Sequence, residues 1–125
     1  MYLGLDLGTS GVKALLVDEA QTVIAEGHAS LTVEMPHPNW SEQDPQSWLE
    51  ACDQGILEVR QLAPKAFAAL KGIGVSGQMH GATLLDENDK PLRPAILWND
   101  GRSGLECTEL EARADFRGIG GNIVM

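Results

Sequence analysis

The chain has 125 residues, 43% of them hydrophobic and 22% charged, an ordinary globular composition with material for one modest core in at most one domain. Nine basic residues against eighteen acidic ones leave a net charge of −9, which argues against a general nucleic-acid partner and against an acidic membrane surface. Asp6 falls where a signal peptide needs its apolar stretch, no run approaches the ~20 apolar residues of a membrane span, and two cysteines, Cys52 and Cys107, are too few for a disulfide scaffold, so a cytoplasmic protein with reduced thiols is expected.

Leu3, Leu5 and Leu7 alternate with Gly4, Asp6 and Gly8. That period of two predicts a strand with one packing face. Its other face carries a carboxylate between two glycines, which leaves room for close approach of a ligand. Thr9, Ser10 and Gly11 make a short turn, and Val12 to Val17 returns as the second arm of a hairpin. After a polar break at Asp18 to Gln21, Val23 to Ala29 reads as a third strand. Leu31, Val33 and Met35 extend its alternation until Pro36 and Pro38 end it. Asp44 before Pro45 predicts a helix start, with the carboxylate capping and the proline in the first helical position. Leu49, Cys52, Ile56 and Val59 give that helix an apolar stripe, and Pro64 marks its end.

Ile73 and Val75 predict a short strand from Gly72 to Gly77. Leu84 and Leu85 begin another, interrupted by a turn at Asp86 to Lys90. Pro94 to Trp98 is apolar and strand-like, and Cys107, Leu110 and Ala114 suggest a short helix after Arg102. Three consecutive strands favour an antiparallel meander, and the helical crossover then permits a parallel neighbour. The expected fold is α/β, a mixed sheet with helices. The apolar tail, Ile119 with Ile123 to Met125, predicts that the chain is a piece of a longer protein.

Three segments carry candidate chemistry. In Asp6 to Lys13, D-L-G-T-S-G-V-K, a carboxylate near a strand end precedes a tight turn offering amides, two hydroxyls and Lys13. Such a turn can hold phosphate oxygens and the acid can hold Mg²⁺; a hairpin with a solvated acid is the competing reading. In Ser76 to Gly81, S-G-Q-M-H-G, Gln78 and His80 can hydrogen-bond hydroxyls while Met79 supplies an apolar wall; a satisfied histidine beside a turn is the alternative. In Trp98 to Arg102, W-N-D-G-R, an aromatic face stands beside Asn99, Asp100 and Arg102, a mix suited to polyols. There the alternative is Asn99 or Asp100 capping the next helix with Trp98 in the core. Gly72, Gly74 and Gly77 spell G-x-G-x-x-G, but on a strand with no helix opening at Gly77, so a dinucleotide site is not expected. The sequon at Asn39 and the three histidines, which lack metal-ligand spacing, are set aside on similar grounds.

In this order, the opening D-L-G-T-S, the middle S-G-Q-M-H-G-A-T-L-L-D and the later R-P-A-I-L-W-N-D-G-R resemble the FGGY carbohydrate kinases. P-H-P-N-W-S-E-Q-D-P (Pro36 to Pro45) and E-C-T-E-L-E-A-R (Glu106 to Arg113) resemble their bacterial xylulokinase branch. The resemblance implies an actin-like, ribonuclease-H-like ATPase domain whose mixed sheet opens with antiparallel strands and is flanked by helices. Residues 1–125 would be the N-terminal part of the first, sugar-binding domain, with the second domain absent. It implies ATP-dependent phosphorylation of D-xylulose with Mg²⁺. Asp6 would serve the metal and phosphate, and Thr9, Ser10 and Lys13 the phosphate-side hairpin. Gln78, Met79 and His80 would contact the sugar, with Trp98, Asn99, Asp100 and Arg102 lining or supporting its pocket. The implied partners are the sugar, ATP, the missing C-terminal kinase domain and a second copy of the chain. The family's catalytic base is an aspartate in a distant G-G-D-N-type motif, outside this chain, so residues 1–125 are expected to be inactive alone. The alternatives are another FGGY sugar or polyol kinase, and a non-catalytic sugar-binding module.

Overall fold

Leucine alternates with glycine and aspartate along strand β1, Tyr2–Leu7, and the burial follows the alternation: Leu3 and Leu5 are buried while Gly4 and Asp6 are exposed. Strand β2, Gly11–Val17, folds back on it antiparallel, and β3, Val23–Ser30, pairs with β2 antiparallel in turn. The computed structural model describes residues 1–125 and divides into two compact units. The first comprises Met1–Val33 and Asp44–Met79; the second comprises Glu34–Gln43 and His80–Met125.

In the first unit the chain crosses from the meander through helix α1, Pro45–Leu62, and the short α2, Pro64–Phe67. It then enters β5, Gly72–Gly77, parallel to β1. The sheet order is β3-β2-β1-β5, as the meander with a parallel neighbour predicts. Asp44 starts α1, its side chain accepting from the Gln46 amide at 3.0 Å with Pro45 next. The core between helix and sheet contains Leu3, Leu5, Ala14, Leu16, Ala25 and Val59, with a second cluster of Val12, Ala29 and Ala51.

The expected stripe holds at Val59, Ile56 and Cys52, which meet the core, and fails at Leu49. Ala51, Gly55 and Val59 are buried, Cys52 and Ile56 are half-buried, and Leu49 is exposed. Small residues let the helix lie close on β3: a Cβ on Gly27 would stand 2.4 Å from the Gly55 carbonyl oxygen. A bulky leucine has no place on that line of closest approach.

The second unit has less regular structure. β4, Glu42–Gln43, pairs antiparallel with β6, Ala95–Ile96, and helices α3, Gly104–Arg113, and α4, Phe116–Gly120, follow. Three strand expectations shrink here. The alternation through Leu31, Val33 and Met35 is not strand; β3 stops at Ser30, and only Glu34 makes a bridge, to Glu42. Met35 is exposed and precedes proline, which has no amide to continue a ladder. Leu84 and Leu85 form no strand, only an isolated bridge from Leu85 to Pro91 around the Asp86 turn, and both side chains are exposed. The run from Pro94 to Trp98 contributes only two strand residues, Ala95 and Ile96. In each case the pattern finds a partner over two residues at most, and alternation alone cannot supply more. No helix is long and apolar enough to cross a membrane.

Candidate functional site

Register brings three polar side chains to one face of the first unit's sheet. Asp6 stands opposite Lys13 across β1 and β2, and opposite Ser76 across β1 and β5. This face is the one turned away from Leu3 and Leu5, because successive strand residues point to opposite sides. Ser76 Oγ donates to Asp6 Oδ1 at 2.7 Å. Glycines 4, 72 and 74 lie on the same face, and a Cβ on Gly74 would touch nothing within 4 Å, so the floor beside Asp6 is open.

The turn from β1 to β2 is held by the Gly8 amide on the Gly11 carbonyl at 2.9 Å. The Ser10 carbonyl accepts from the Leu31 amide at 2.9 Å, and the Leu7 carbonyl from the Gln78 amide at 2.9 Å. Thr9 Oγ1 donates to Gln78 Oε1 at 2.8 Å. The end of β5 is thereby stitched to the hairpin, and Gln78 is engaged in that stitch. Asp6, Gly8, Ser10, Lys13, His28 and Ser30 are among the residues lining an open cleft of about 360 Å³. Chemically the cleft offers one carboxylate, one ammonium and hydroxyls. It has no group of three acids, histidines or cysteines that could hold a metal by protein ligands alone.

Of the remaining sequence-derived candidates, Met79 closes the first unit and is exposed, and His80 begins the later segment of the second unit. His80 is exposed and adopts a left-handed backbone, φ +67°, so the chain turns sharply at that residue.

The W-N-D-G-R segment lies wholly in the second unit. Trp98 is 51% exposed, which removes the core reading, and Ser103, not Asn99 or Asp100, occupies the cap position of α3. Asn99 is exposed. Asp100 is turned inward, its side chain 1% exposed. One Asp100 oxygen accepts from Arg102 Nε at 2.8 Å; the other accepts from Arg102 Nη2 and from the Ser41 amide, each at 2.6 Å. Arg102 Nη1 donates to Glu42 Oε1 at 2.7 Å, an oxygen that also takes Arg93 Nη2 at 2.6 Å. The guanidinium lies 3.6 Å from the Trp40 ring centroid, a stacked cation–π geometry. The Arg102 bonds hold the Asp100 carboxyl well below the usual carboxylate range. Asp100 and Glu42 in turn keep Arg102 charged. These two residues thus fasten the 39–43 segment to the 95–102 segment.

Several functional-looking residues escape the sequence reading. Glu26 and His28 stand beside Lys13. Trp40, Ser41 and Glu42 surround Asp100 and Arg102. The alternation of Glu26 and His28 with Ala25, Gly27 and Ala29 is a signal for an outward polar face on β3. The Trp40–Arg102 contact spans 62 residues and has no local signal.

Residues 1–124 match the family model for the N-terminal domain of the FGGY family of carbohydrate kinases. The chain is 52% identical over 126 residues to the xylulose kinase of Escherichia coli K12, covering all of this chain and 26% of that protein. Among solved structures it is similar to a xylulose kinase from Brucella ovis, with a TM-score of 0.94 and 61% identity over 99% of this chain and 26% of that one. It is also similar to the xylulose kinase of Rhodospirillum rubrum, with a TM-score of 0.86 and 36% identity over 93% and 24% of the two chains. The chain thus spans about a quarter of the length of the curated relatives it matches.

Proposed function

Since the chain belongs to the FGGY family of carbohydrate kinases, we propose that it is the N-terminal part of a xylulose kinase, an enzyme that transfers the γ-phosphoryl group of ATP to D-xylulose. The fold is the actin-like, ribonuclease-H-like ATPase fold of that family. The observation that carries the substrate is the 52% identity to a xylulose kinase over the whole chain.

In this reading the hairpin and the end of β5 serve the phosphate side. Thr9, Ser10 and the turn amides meet phosphate oxygens, and Lys13 adds a positive charge beside them. Mg²⁺ fits the donor set. It is ordinarily held by one or two carboxylates with water and substrate phosphates, and Asp6 offers one carboxylate, oriented by Ser76, above a glycine floor. When bound, the metal would neutralise charge developing on the transferring group. Met79 and His80 contact the sugar, with Gln78 anchoring their segment to Thr9. Trp98 and Asn99 offer an exposed aromatic face and an amide to hydroxyls, while Asp100 and Arg102 tie the segment that carries them to Ser41 and Glu42. The base that takes the hydroxyl proton belongs to the remainder of the kinase, as does the second domain. The reading places the enzyme in the cytoplasm, where the free thiols of Cys52 and Cys107 fit a reducing compartment.

The test is phosphorylation of a sugar panel by the full-length kinase. D-xylulose is expected to give the highest kcat/KM. A higher value for a different pentulose or a polyol overturns the substrate assignment.

A further inference from the structure

Opposite charges at facing positions of antiparallel strands normally pair. Asp6 and Lys13 face each other in that way, yet Lys13 Nζ sits 2.9 Å from Glu26 Oε1 on β3. Glu26 is not the register partner of Lys13; His28 is, and Glu26 lies diagonally across, two residues along its strand. The same Glu26 oxygen receives His28 Nε2 at 2.5 Å. His28 is itself anchored, its backbone N–H donating to Glu58 Oε2 of α1 at 2.8 Å. Lys13 first, and His28 after it, hold the Glu26 carboxyl below its ordinary value against the opposing effect of burial. Glu26 is the anionic partner of Lys13 on the side away from Asp6, while Asp6 takes a neutral hydroxyl from Ser76.

We infer that Glu26 is a positioning residue that draws Lys13 away from Asp6, keeping the Asp6 carboxylate open to a cation and the Lys13 ammonium open to a phosphate. The inference rests on the roles proposed above for those two residues. Without Glu26, the cross-strand attraction between Asp6 and Lys13 is unopposed. The lysine then folds onto the carboxylate, and the two charges cancel instead of serving opposite ends of a phosphate–metal group.

Crystal structures of the full-length kinase carrying Glu26→Gln, and separately Glu26→Ala in case the amide retains the lysine, read the geometry directly. Lys13 Nζ is expected within 4 Å of an Asp6 oxygen. Lys13 remaining away from Asp6 in both variants overturns the inference. Kinetics supply the second readout: Glu26→Gln is expected to lower kcat about fivefold, the scale of one cross-strand charge pair, with the KM for sugar unchanged. That loss is expected to disappear when Glu26→Gln is added to Lys13→Met, because Glu26 acts only through the lysine; independent, additive losses overturn it. Failure of the functional reading itself would show separately, as absence of D-xylulose phosphorylation by the unaltered kinase, whereas the position of Lys13 is read without turnover.

Discussion

Asp6 and Asp100 are both aspartates bonded to neighbouring side chains, and their surroundings assign them opposite work. Asp6 is exposed, accepts from the neutral Ser76 hydroxyl and borders an open cleft. Asparagine can accept the same hydrogen bond, so Asp6→Asn is expected to leave the melting temperature nearly unchanged. It removes the charge proposed to face the phosphate–metal group, and a loss of roughly 2.7–4 kcal/mol of transition-state stabilisation is expected, by analogy with other electrostatic stabilisers. Turnover at saturating substrates, with melting of the same preparations, checks both halves; near-normal turnover would leave Asp6 a structural acid. Asp100 is enclosed and saturated by Arg102 and the Ser41 amide. Asp100→Asn is expected to destabilise by about 2 kcal/mol, the scale of a hydrogen bond to a charged group. Its folded pKa is depressed. The stabilisation it gives is therefore complete above the unfolded carboxylate value and is lost as pH falls below that value toward the folded one. Chemical denaturation from pH 7 down to pH 3 should show the wild-type advantage over Asp100→Asn shrinking only at the acid end. An advantage that stays constant to pH 3 contradicts the depressed folded pKa, and one already lost at pH 6 contradicts the buried ion pair.

At the scale of elements, the contact of β3 with α1 sets how closely the helix covers the sheet. The Gly27 Cβ position lies 2.4 Å from the Gly55 carbonyl oxygen and 3.2 Å from the Glu58 Cβ. A methyl group there must push the helix outward, so Gly27→Ala is expected to cost about 1–3 kcal/mol, the usual range for overpacking. Urea unfolding measures it, and an unchanged midpoint would mean that the helix shifts without loss. The same contact explains what the sequence reveals and what it hides. β1, β2, β3, α1 and β5 are legible because each carries a local signature: period-two alternation, a hairpin turn, or the Asp44–Pro45 start. The helix stripe is misread at Leu49 because the eye follows large apolar residues, whereas close packing here selects Ala51 and Gly55. Asp6, Lys13 and the Ser76–Gly81 segment are visible as candidates because they fall beside glycines at strand ends. Glu26, Trp40 and Glu42 are not, since each acquires its meaning from a partner far along the chain. The sugar-side assignments of Met79, His80, Trp98 and Asn99 come from family resemblance, and their local geometry adds exposure and a left-handed turn at His80.

For the molecule as a whole, sheet order places β5 at an edge, beside β1 alone. Ile73 and Val75 lie in register with Leu3 and Leu5, yet Val75 is 73% exposed. The buried face of the sheet therefore runs out from under its helix before it reaches the last strand. The cleft beside Asp6, proposed to serve the phosphate side, is open as well, with one carboxylate and one lysine. Phosphoryl transfer depends on positioning both substrates in line and on stabilising charge from several directions at once. A single wall can bind a phosphate weakly, but it cannot fix the nucleotide against the sugar hydroxyl. The 125-residue chain alone is therefore expected to give no D-xylulose-dependent ADP release, while the full-length kinase does. Coupled measurement of ADP, with a mock purification to control for host kinases, checks this. Sugar-dependent turnover by the purified chain, abolished by Asp6→Asn, would place the complete chemistry within these residues and overturn the assignment of the base to the rest of the kinase.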